Sequence, residues 1–487
     1  QETVHIRVGT AWMAAFATFR INRAGSTSKL NYNSINVRMK KNSLSILLFL
    51  ICSFGIAQNP ICPPGLNIAD PTTRVWNDGK LYLYGSRDES LKYYCSYDHW
   101  VLSTSDLVNW EYTPDAFASK GPFDQVPFND NLLYAPDCMY KNGMYYLYFC
   151  QPGGIEGVAT STSPTGPFTN AKELYLKQMN EIDPAVFVDD DGQAYYTWGQ
   201  FQAKIAKLKP NMTEIDTSTI VENVVTEKEH FFHEGNYLVK RNGIYYMVYS
   251  DMSRKGMPTC IGYSTSKSPM GPYKYGGVII DNDGCDPENW NNHGSIVEFK
   301  GQWYVFYHRT TNGVVNARKA CIEPIFFNED GSINEVEMTS QGAGKPLDAF
   351  SPIEAERACL LAGRVRIESY SWDQANPLNP GNNDQLGKIE NNDRAVYKYV
   401  NFGDGATSLQ MRVAPGSKPG KVVIRIDNSW DVPVGTLDIP GGGNGKTWTL
   451  LTCRLKQIKG VHALHLSFVA EENKSFNVDR FVFGNLK

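Results

Sequence analysis

The sequence predicts an all-β protein, a five-bladed β-propeller followed by a β-sandwich or jelly roll. The propeller is predicted by a repeat. A turn glycine with a tyrosine three residues later occurs five times, at Gly79/Tyr82, Gly143/Tyr146, Gly192/Tyr195, Gly243/Tyr246 and Gly301/Tyr304. The glycines lie 64, 49, 51 and 58 residues apart, and periods near 50 residues mark repeat architectures and propellers. The flanks of each phrase are rich in Tyr, Val and Phe, as strands are. The sandwich is predicted by a change of texture after Phe350, where short strand-like runs alternate with turn clusters.

Taken in order, the first element is a leader. Met39-Lys40-Lys41-Asn42 is basic, and residues 44–56 form an apolar run of 13 that ends before Ala57 and Gln58. A basic start, a short apolar stretch and a small residue at the cut describe a secretory signal peptide, and the run is too short to span a bilayer. Residues 1–57 therefore read as leader and signal, with the start at Met39. The expected location is secreted or periplasmic, without a membrane span.

The propeller is expected over residues 58–345. Asn77-Asp78-Gly79, Asn142-Gly143, Asp191-Gly192 and Asn242-Gly243 are hairpin turns, because such turns need positive φ at their centre. Each repeat is then a hairpin inside a small sheet, and five sheets close into a ring with short, protected edges. Residues 321–327 read as the last strand of the ring, and 341–346 as a linker by composition. The second domain is expected over residues 350–487, with strands at 396–400, 408–413, 422–426, 449–455, 463–468 and 477–483. Gly and Pro clusters separate them, which suits a sandwich.

Three repeats carry an acid nine residues ahead of the glycine: Asp70, Asp183 and Glu234. His293 stands eight ahead of Gly301. Equivalent positions of different blades lie around the axis, so these four side chains are expected in one pocket. Turn capping alone would not put acids in register in three blades. The run Asp189-Asp190-Asp191 lies in a hairpin turn and reads as solvated.

Composition narrows the classes. The 487 residues carry a net charge of −4, so no basic field exists for nucleic acid. Hydrophobic residues make up 42% of the chain, ample for a large core. Nine cysteines remain after the leader. Neighbours such as Cys138 and Cys150 could join strands, but most read as small buried apolar residues. The sequence carries no signal for oligomeric state or for an organic cofactor.

Two carboxyls facing one bond are the apparatus of glycoside hydrolysis. One donates a proton to the leaving oxygen, and the other acts ionised, as base or nucleophile. A third carboxylate beside the acid raises its pKa. The same donor set could hold a cation, which makes a metal-dependent hydrolase the rival chemistry.

Ala69-Asp70-Pro71, Ile182-Asp183-Pro184-Ala185-Val186-Phe187 and Glu234-Gly235 together resemble glycoside hydrolase family 43, inverting enzymes on a five-bladed propeller that act on arabinosyl, xylosyl and galactosyl residues. The resemblance implies Asp70 as general base, Glu234 as general acid, and Asp183 as the residue that tunes the acid and orients substrate. It implies that Arg318 reaches substrate. It also implies that His293, in Asn292-His293-Gly294-Ser295, lines the substrate pocket beside a calcium ion in the central channel. Ala135-Pro136-Asp137 matches a blade-two motif with a structural role. Residues 353–356, 400–406 and 476–481 resemble carbohydrate-binding module family 6. This implies a structural calcium held by Glu354, Glu356 and Asp479, and sugar binding by Tyr397, Trp448 and Asn477. Gly445 departs from that pattern, where members often have an aromatic residue.

The expected function is release of α-L-arabinofuranose from a plant polysaccharide or oligosaccharide. β-Xylosidase and β-galactosidase or galactofuranosidase activity are the near alternatives, chosen by rim loops such as 86–98 and 254–259. A non-catalytic glycan-binding protein is the alternative of another class.

Overall fold

The computed structural model describes residues 58–471 and 476–486. The leader and signal expected over 1–57 lie outside the described residues. Blade I is the antiparallel sheet β1 (Ile68–Val75), β2 (Leu81–Arg87), β3 (Asp98–Thr104) and β4 (Trp110–Ala118). Blade II is β5 (Tyr134–Lys141), β6 (Met144–Gln151), β7 (Ile155–Ser161) and β8 (Thr169–Glu173). Blade III has three strands, β9 (Ala185–Val188), β10 (Ala194–Trp198) and β11 (Lys204–Lys207), and a bridge from Ile205 to Val221 extends its outer edge. Blade IV is β12 (Phe232–Arg241), β13 (Ile244–Asp251), β14 (Cys260–Ser266) and β15 (Lys274–Asp281). Blade V is β16 (Ser295–Phe299), β17 (Gln302–Thr311) and β18 (Val314–Ile325). The first strands touch in a closed cycle, β1–β5–β9–β12–β16–β1. That cycle makes the ring five-bladed.

The repeated glycines take the conformation that their turns require. Asn142-Gly143 and Asn242-Gly243 have both residues left-handed, and Lys300-Gly301 does the same without an Asn. Blades I and III differ. Their loops are one residue longer, closed by Trp76 N–H to Lys80 O and Asp189 N–H to Gln193 O, and only Gly79 and Gly192 are left-handed there. This difference matters for the site.

Between the blades lie apolar layers such as Tyr84, Phe117, Phe149 and Phe168, all buried. On the axis lies a buried cation. Arg74 of β1 donates from Nε (3.2 Å) and Nη2 (2.6 Å) to the two carboxylate oxygens of Asp137 in blade II. It also donates to Val186 O of blade III (2.8 Å) and to the Tyr237 hydroxyl of blade IV (2.8 Å). Blade V joins through Ser295, whose hydroxyl accepts from Thr73 N–H (3.0 Å) and donates to Pro71 O (2.9 Å). Asp137 therefore has the structural role expected of the blade-two motif.

The ring is closed by the segment before β1. Asn59 N–H donates to Ser340 O and Ile61 N–H to Ala320 O, while the Asn59 amide donates to Ile322 O (3.0 Å) and Thr339 O (3.0 Å).

The C-terminal region is one strand path that curls into a jelly roll. One side runs Leu347–Asp348, Arg394–Asn401, Val461–Val469, Gly420–Ile426, Gly435–Ile439, and the other Thr449–Ile458, Ala406–Pro415, Phe476–Gly484, Asn383–Gly387, Arg366–Ser371. All six runs expected from sequence lie within these strands. Its core includes Leu409, Met411, Val422, Leu464, Leu466 and Phe481, all buried. Among the described residues the fold is nearly all-β, with one α-helical turn, Glu227–His230, capped by the Thr226 hydroxyl.

The jelly roll packs on the propeller through a polar seam. Lys319 Nζ lies 3.3 Å from Asp384 Oδ2, both buried. Trp372 Nε1 donates to Gly65 O (3.0 Å), Leu361 N–H to Gly284 O (2.6 Å), and Arg357 Nη1 to Pro60 O (2.7 Å). The nine described cysteines are all free, Cys138 and Cys150 included, and all but Cys453 are buried.

Candidate active site

The five first strands each end their regular ladder at one level. The last pairs are Thr72↔Tyr84, Asp137↔Tyr148, Ala185↔Thr197, Tyr237↔Val248 and Ser295↔Phe306. The residue two before each is Asp70, Ala135, Asp183, Gly235 and His293, one per blade. The first four are left-handed, with φ of 51°, 21°, 59° and 70°. A left-handed residue in a bulge bends the strand and re-aims its neighbours, and short polar Asp tolerates that conformation.

Glu234 does not occupy this ring position. It sits one residue upstream of Gly235, opposite Ser250. The interval of nine matched in sequence only because the blade IV turn is one residue shorter than those of blades I and III. For the same reason His293, at an interval of eight, is in true register. The ring residue of blade IV is glycine, which leaves room for its neighbour. A Cβ on Gly235 would lie 2.9 Å from the His293 ring.

The site is buried and charged. Asp70 accepts from Arg318 Nη1 at 2.9 Å on Oδ1 and from the Ser86 hydroxyl at 2.7 Å on Oδ2. Burial works against its charge. The Arg318 guanidinium, His293, His308 and the Ser86 hydroxyl outweigh that and hold the carboxyl down to about 2. Arg318 is itself fixed by Asp88, which accepts from Nε and Nη2 at 2.9 Å each.

Asp183 Oδ2 accepts the Gly235 N–H (3.0 Å). Its carboxyl is pushed well above the usual range, first by burial and then by the charges of Glu234 and Asp70. Glu234 is held by two neutral amides, Asn291 Nδ2 on Oε1 (3.1 Å) and Gln200 Nε2 on Oε2 (2.8 Å). His293 Nδ1 lies 3.6 Å from Asp70 and 3.9 Å from Asp183. Burial lowers the pKa of His293, against the pull of Asp70 and Glu234.

A bonded chain links Asp70 to Glu234. The Asp70 N–H donates to His308 Nδ1 (3.3 Å). That fixes the proton on Nε2, which donates to Asn291 O (3.2 Å), and the Asn291 amide reaches Glu234. Burial, then Arg318, keep His308 neutral, down to about 3.

The structure thus brings Asp70, Asp183, Glu234, His293 and Arg318 together. Sequence reasoning missed Asp88, His308, Asn291 and Gln200. Asn291 stands two before His293 and Gln200 follows the blade III strand, but neither position repeats between blades, so the register that exposed the acids was blind to them. A separate cavity of about 630 Å³, lined by Arg74, Trp76, Lys240 and Glu298, opens at the turn end of the same strands, and none of the three acids lines it.

The residues expected to hold or adjoin calcium have the following neighbours. His293 lies between two carboxyls, one already bonded to Arg318. In the jelly roll, Asp479 accepts from Arg412 Nη1 (2.6 Å) and the Tyr370 hydroxyl (2.7 Å), while Glu356 is pushed up by burial and by the charge of Asp384. Among the described residues no three His, Cys, Asp or Glu side chains assemble a cation site. Of the expected set, Glu354 is raised by burial and the charge of Asp479, and Glu356 by burial and the charges of Asp384 and Glu354. Glu356 Oε2 is buried without a hydrogen-bond partner among the described residues, while Arg412 pairs with Asp479.

One member of the expected sugar platform is corrected. Tyr397 is wholly buried and its hydroxyl donates to Ala355 O (2.8 Å), so it is a core residue. Trp448 is half-buried against Tyr370 (ring centroids 5.2 Å apart) and Arg412 (4.9 Å). Asn477 donates to Gly445 O (3.0 Å).

Residues 57–333 match the model of glycosyl hydrolases family 43. The chain belongs to family 43. It is a glycoside hydrolase, and residues 366–485 match the carbohydrate binding module of family 6. An arabinoxylan arabinofuranohydrolase from Bacillus subtilis (strain 168) is 31% identical, the match covering 87% of this chain and 92% of that one. A xylosidase/arabinosidase from Thermoclostridium stercorarium is 30% identical, covering 84% and 95%. A crystal structure of a family 43 arabinoxylan arabinofuranohydrolase from Bacillus subtilis, in complex with cellotetraose, matches with a TM-score of 0.52 and 30% identity over 88% of this chain and 98% of that one. This family 43 chain thus shares both regions, in the same order, with relatives of similar length.

Proposed function

We propose that this family 43 enzyme releases α-L-arabinofuranose from arabinoxylan or its oligosaccharides, with inversion. The observation that carries the mechanism is the electrostatic split between the carboxyls. Asp70 is held ionised by Arg318 and acts as the base that takes a proton from water. Glu234 gives its proton to the leaving oxygen. Asp183 lies beside Glu234, and burial, with the charges of Glu234 and Asp70, pushes the Asp183 carboxyl well above its usual range, opposite in sign to Asp70. Paired environments pushed apart in this way divide base from acid. Arg318, besides fixing Asp70, lines the pocket with His293, where both contact the bound sugar.

The sugar assignment is supported by the relatives that span both regions. A β-xylosidase is the second reading, favoured by the relative that bears both activities in its name. A panel of 4-nitrophenyl glycosides with arabinoxylan tests this. The α-L-arabinofuranoside is expected to be turned over fastest, with free arabinose appearing from the polymer. A clear preference for the β-D-xyloside would replace the first reading by the second.

We also infer a secreted or periplasmic location, on the basic start and apolar run of residues 39–56. Fractionation of expressing cells tests it, and retention in the cytoplasm would overturn it.

A further inference from the structure

Two exposed aromatic residues adjoin the two amides that hold Glu234. Phe201 is 55% exposed and Trp290 is 44% exposed, although both flank buried polar machinery. Phe201 follows Gln200, whose amide holds Glu234 Oε2. Trp290 precedes Asn291, whose amide holds Glu234 Oε1. The two residues that grip the acid are thus each next to a ring facing solvent.

The chain carrying each ring is held by hydrogen bonds. The Phe201 N–H donates to His233 O and its carbonyl accepts from Glu227 N–H (3.0 Å). Its ring meets His233 edge-on at 5.3 Å, and His233 Nε2 lies 3.9 Å from Glu234. Phe201 is left-handed, φ 64°, a costly conformation for a bulky residue. Trp290 sits among asparagines that are all pinned. Asn289 donates to Asn282 Oδ1 (2.8 Å) and accepts from Thr310 (2.8 Å), and Asn292 donates to Thr259 O (3.0 Å). A left-handed backbone and a hydrogen-bonded loop hold both rings half in water beside the site.

We propose that Phe201 and Trp290 form the binding platform for the leaving-group sugars, the xylose rings of the main chain from which the side-chain sugar is cut. This rests on the reading of Glu234 as the acid. The acid must touch the glycosidic oxygen, so the leaving group lies on the Glu234 side of the pocket. Pyranose rings present flat C–H faces, and rigid aromatic rings beside the acid cover them with little loss of side-chain freedom. The platform makes the enzyme selective for a polymer or oligomer, because binding far from the cleaved bond positions that bond.

The test compares kcat/KM on arabinoxylan with that on 4-nitrophenyl α-L-arabinofuranoside, whose leaving group spans one ring. An aryl β-xyloside and a xylooligosaccharide serve as the pair if the wild type prefers them. Trp290→Ala and Phe201→Asn are the variants, Asn being chosen because it tolerates the left-handed backbone. Each is expected to lose about tenfold on the polymer, equivalent to about 1.4 kcal/mol, and to stay within about twofold on the small substrate. Trp290→Phe and Phe201→Tyr are expected to keep most of the polymer activity. Equal losses on both substrates, or no loss on the polymer, would overturn the platform. Glu234→Gln, measured in parallel, separates the underlying reading. If it loses equally on both substrates, the acid assignment falls, whatever the ring variants do.

Discussion

Gly235 and His293 occupy equivalent ring positions of adjacent blades, and one can hold its imidazole only because the other has no side chain. A Cβ at Gly235 would stand 2.9 Å from the ring, and its φ of 70° adds a left-handed cost on the order of 1–2 kcal/mol for alanine. Gly235→Ala is expected to lower both melting temperature and kcat. Adding His293→Ala should recover part of the stability but not the rate. Additive losses in the double variant would mean that the two positions are not coupled.

Glu234→Gln keeps the shape and removes the proton to be transferred. The expected loss is on the order of 10²–10⁴-fold on natural substrates, and smaller with an activated leaving group. Proton NMR of the first products checks the companion expectation, an inverted anomer. A retained anomer would remove Asp70 from the role of base.

Arg318→Met takes the cation from Asp70. With the largest lowering influence gone and burial opposed only by His293, His308 and Ser86, the carboxyl should rise from about 2, and the acidic limb of the kcat/KM profile should move to higher pH. The wild-type stabilisation from this depressed carboxyl is present above the unfolded value of 3.8 and is lost as pH falls toward about 2. Acid unfolding of the variant should therefore show less of a step in that window. An unmoved limb would sink the assignment.

Asp183 has the opposite sign. Its folded pKa is raised, so the folded state binds the extra proton and stability falls as pH rises above the unfolded value. Asp183→Asn removes that cost. Thermal melts at neutral pH should show a more stable but far slower enzyme, and a less stable one would contradict the electrostatics.

Arg74→Met leaves Asp137 buried without its cation. Breaking a buried pair on one side costs about 3–5 kcal/mol, measurable by denaturant unfolding. Arg74→Met with Asp137→Asn should cost less than the sum.

The fold was legible because the hairpin glycines are compelled by backbone geometry, and Gly79, Gly143, Gly192, Gly243 and Gly301 punctuate every blade. The acids were legible because an inward carboxylate at a blade start stands out against apolar strands. Their register was misread by one residue at Glu234, since sequence counts residues and not loop lengths. His308 and Asn291 were hidden because a histidine and an asparagine inside ordinary runs have no period to betray them. Tyr397 was misplaced because an aromatic residue near a strand looks the same in a core as on a platform. Only the fold says which face it takes.

The latch at Asn59 sets an order on the birth of this molecule. Its partners Ile322 and Thr339 emerge from the ribosome 263 and 280 residues later, with Ser340 next, so no earlier fragment can close the ring and gather Asp70 with Arg318. Arg357, from the jelly roll, then clasps Gln58 O (3.4 Å) and Pro60 O (2.7 Å) beside that latch. The domain made last thus clasps the segment that seals the ring. Removing the jelly roll should therefore loosen the seam where the ring was sealed, and the two regions behave as lock and bolt of one enzyme.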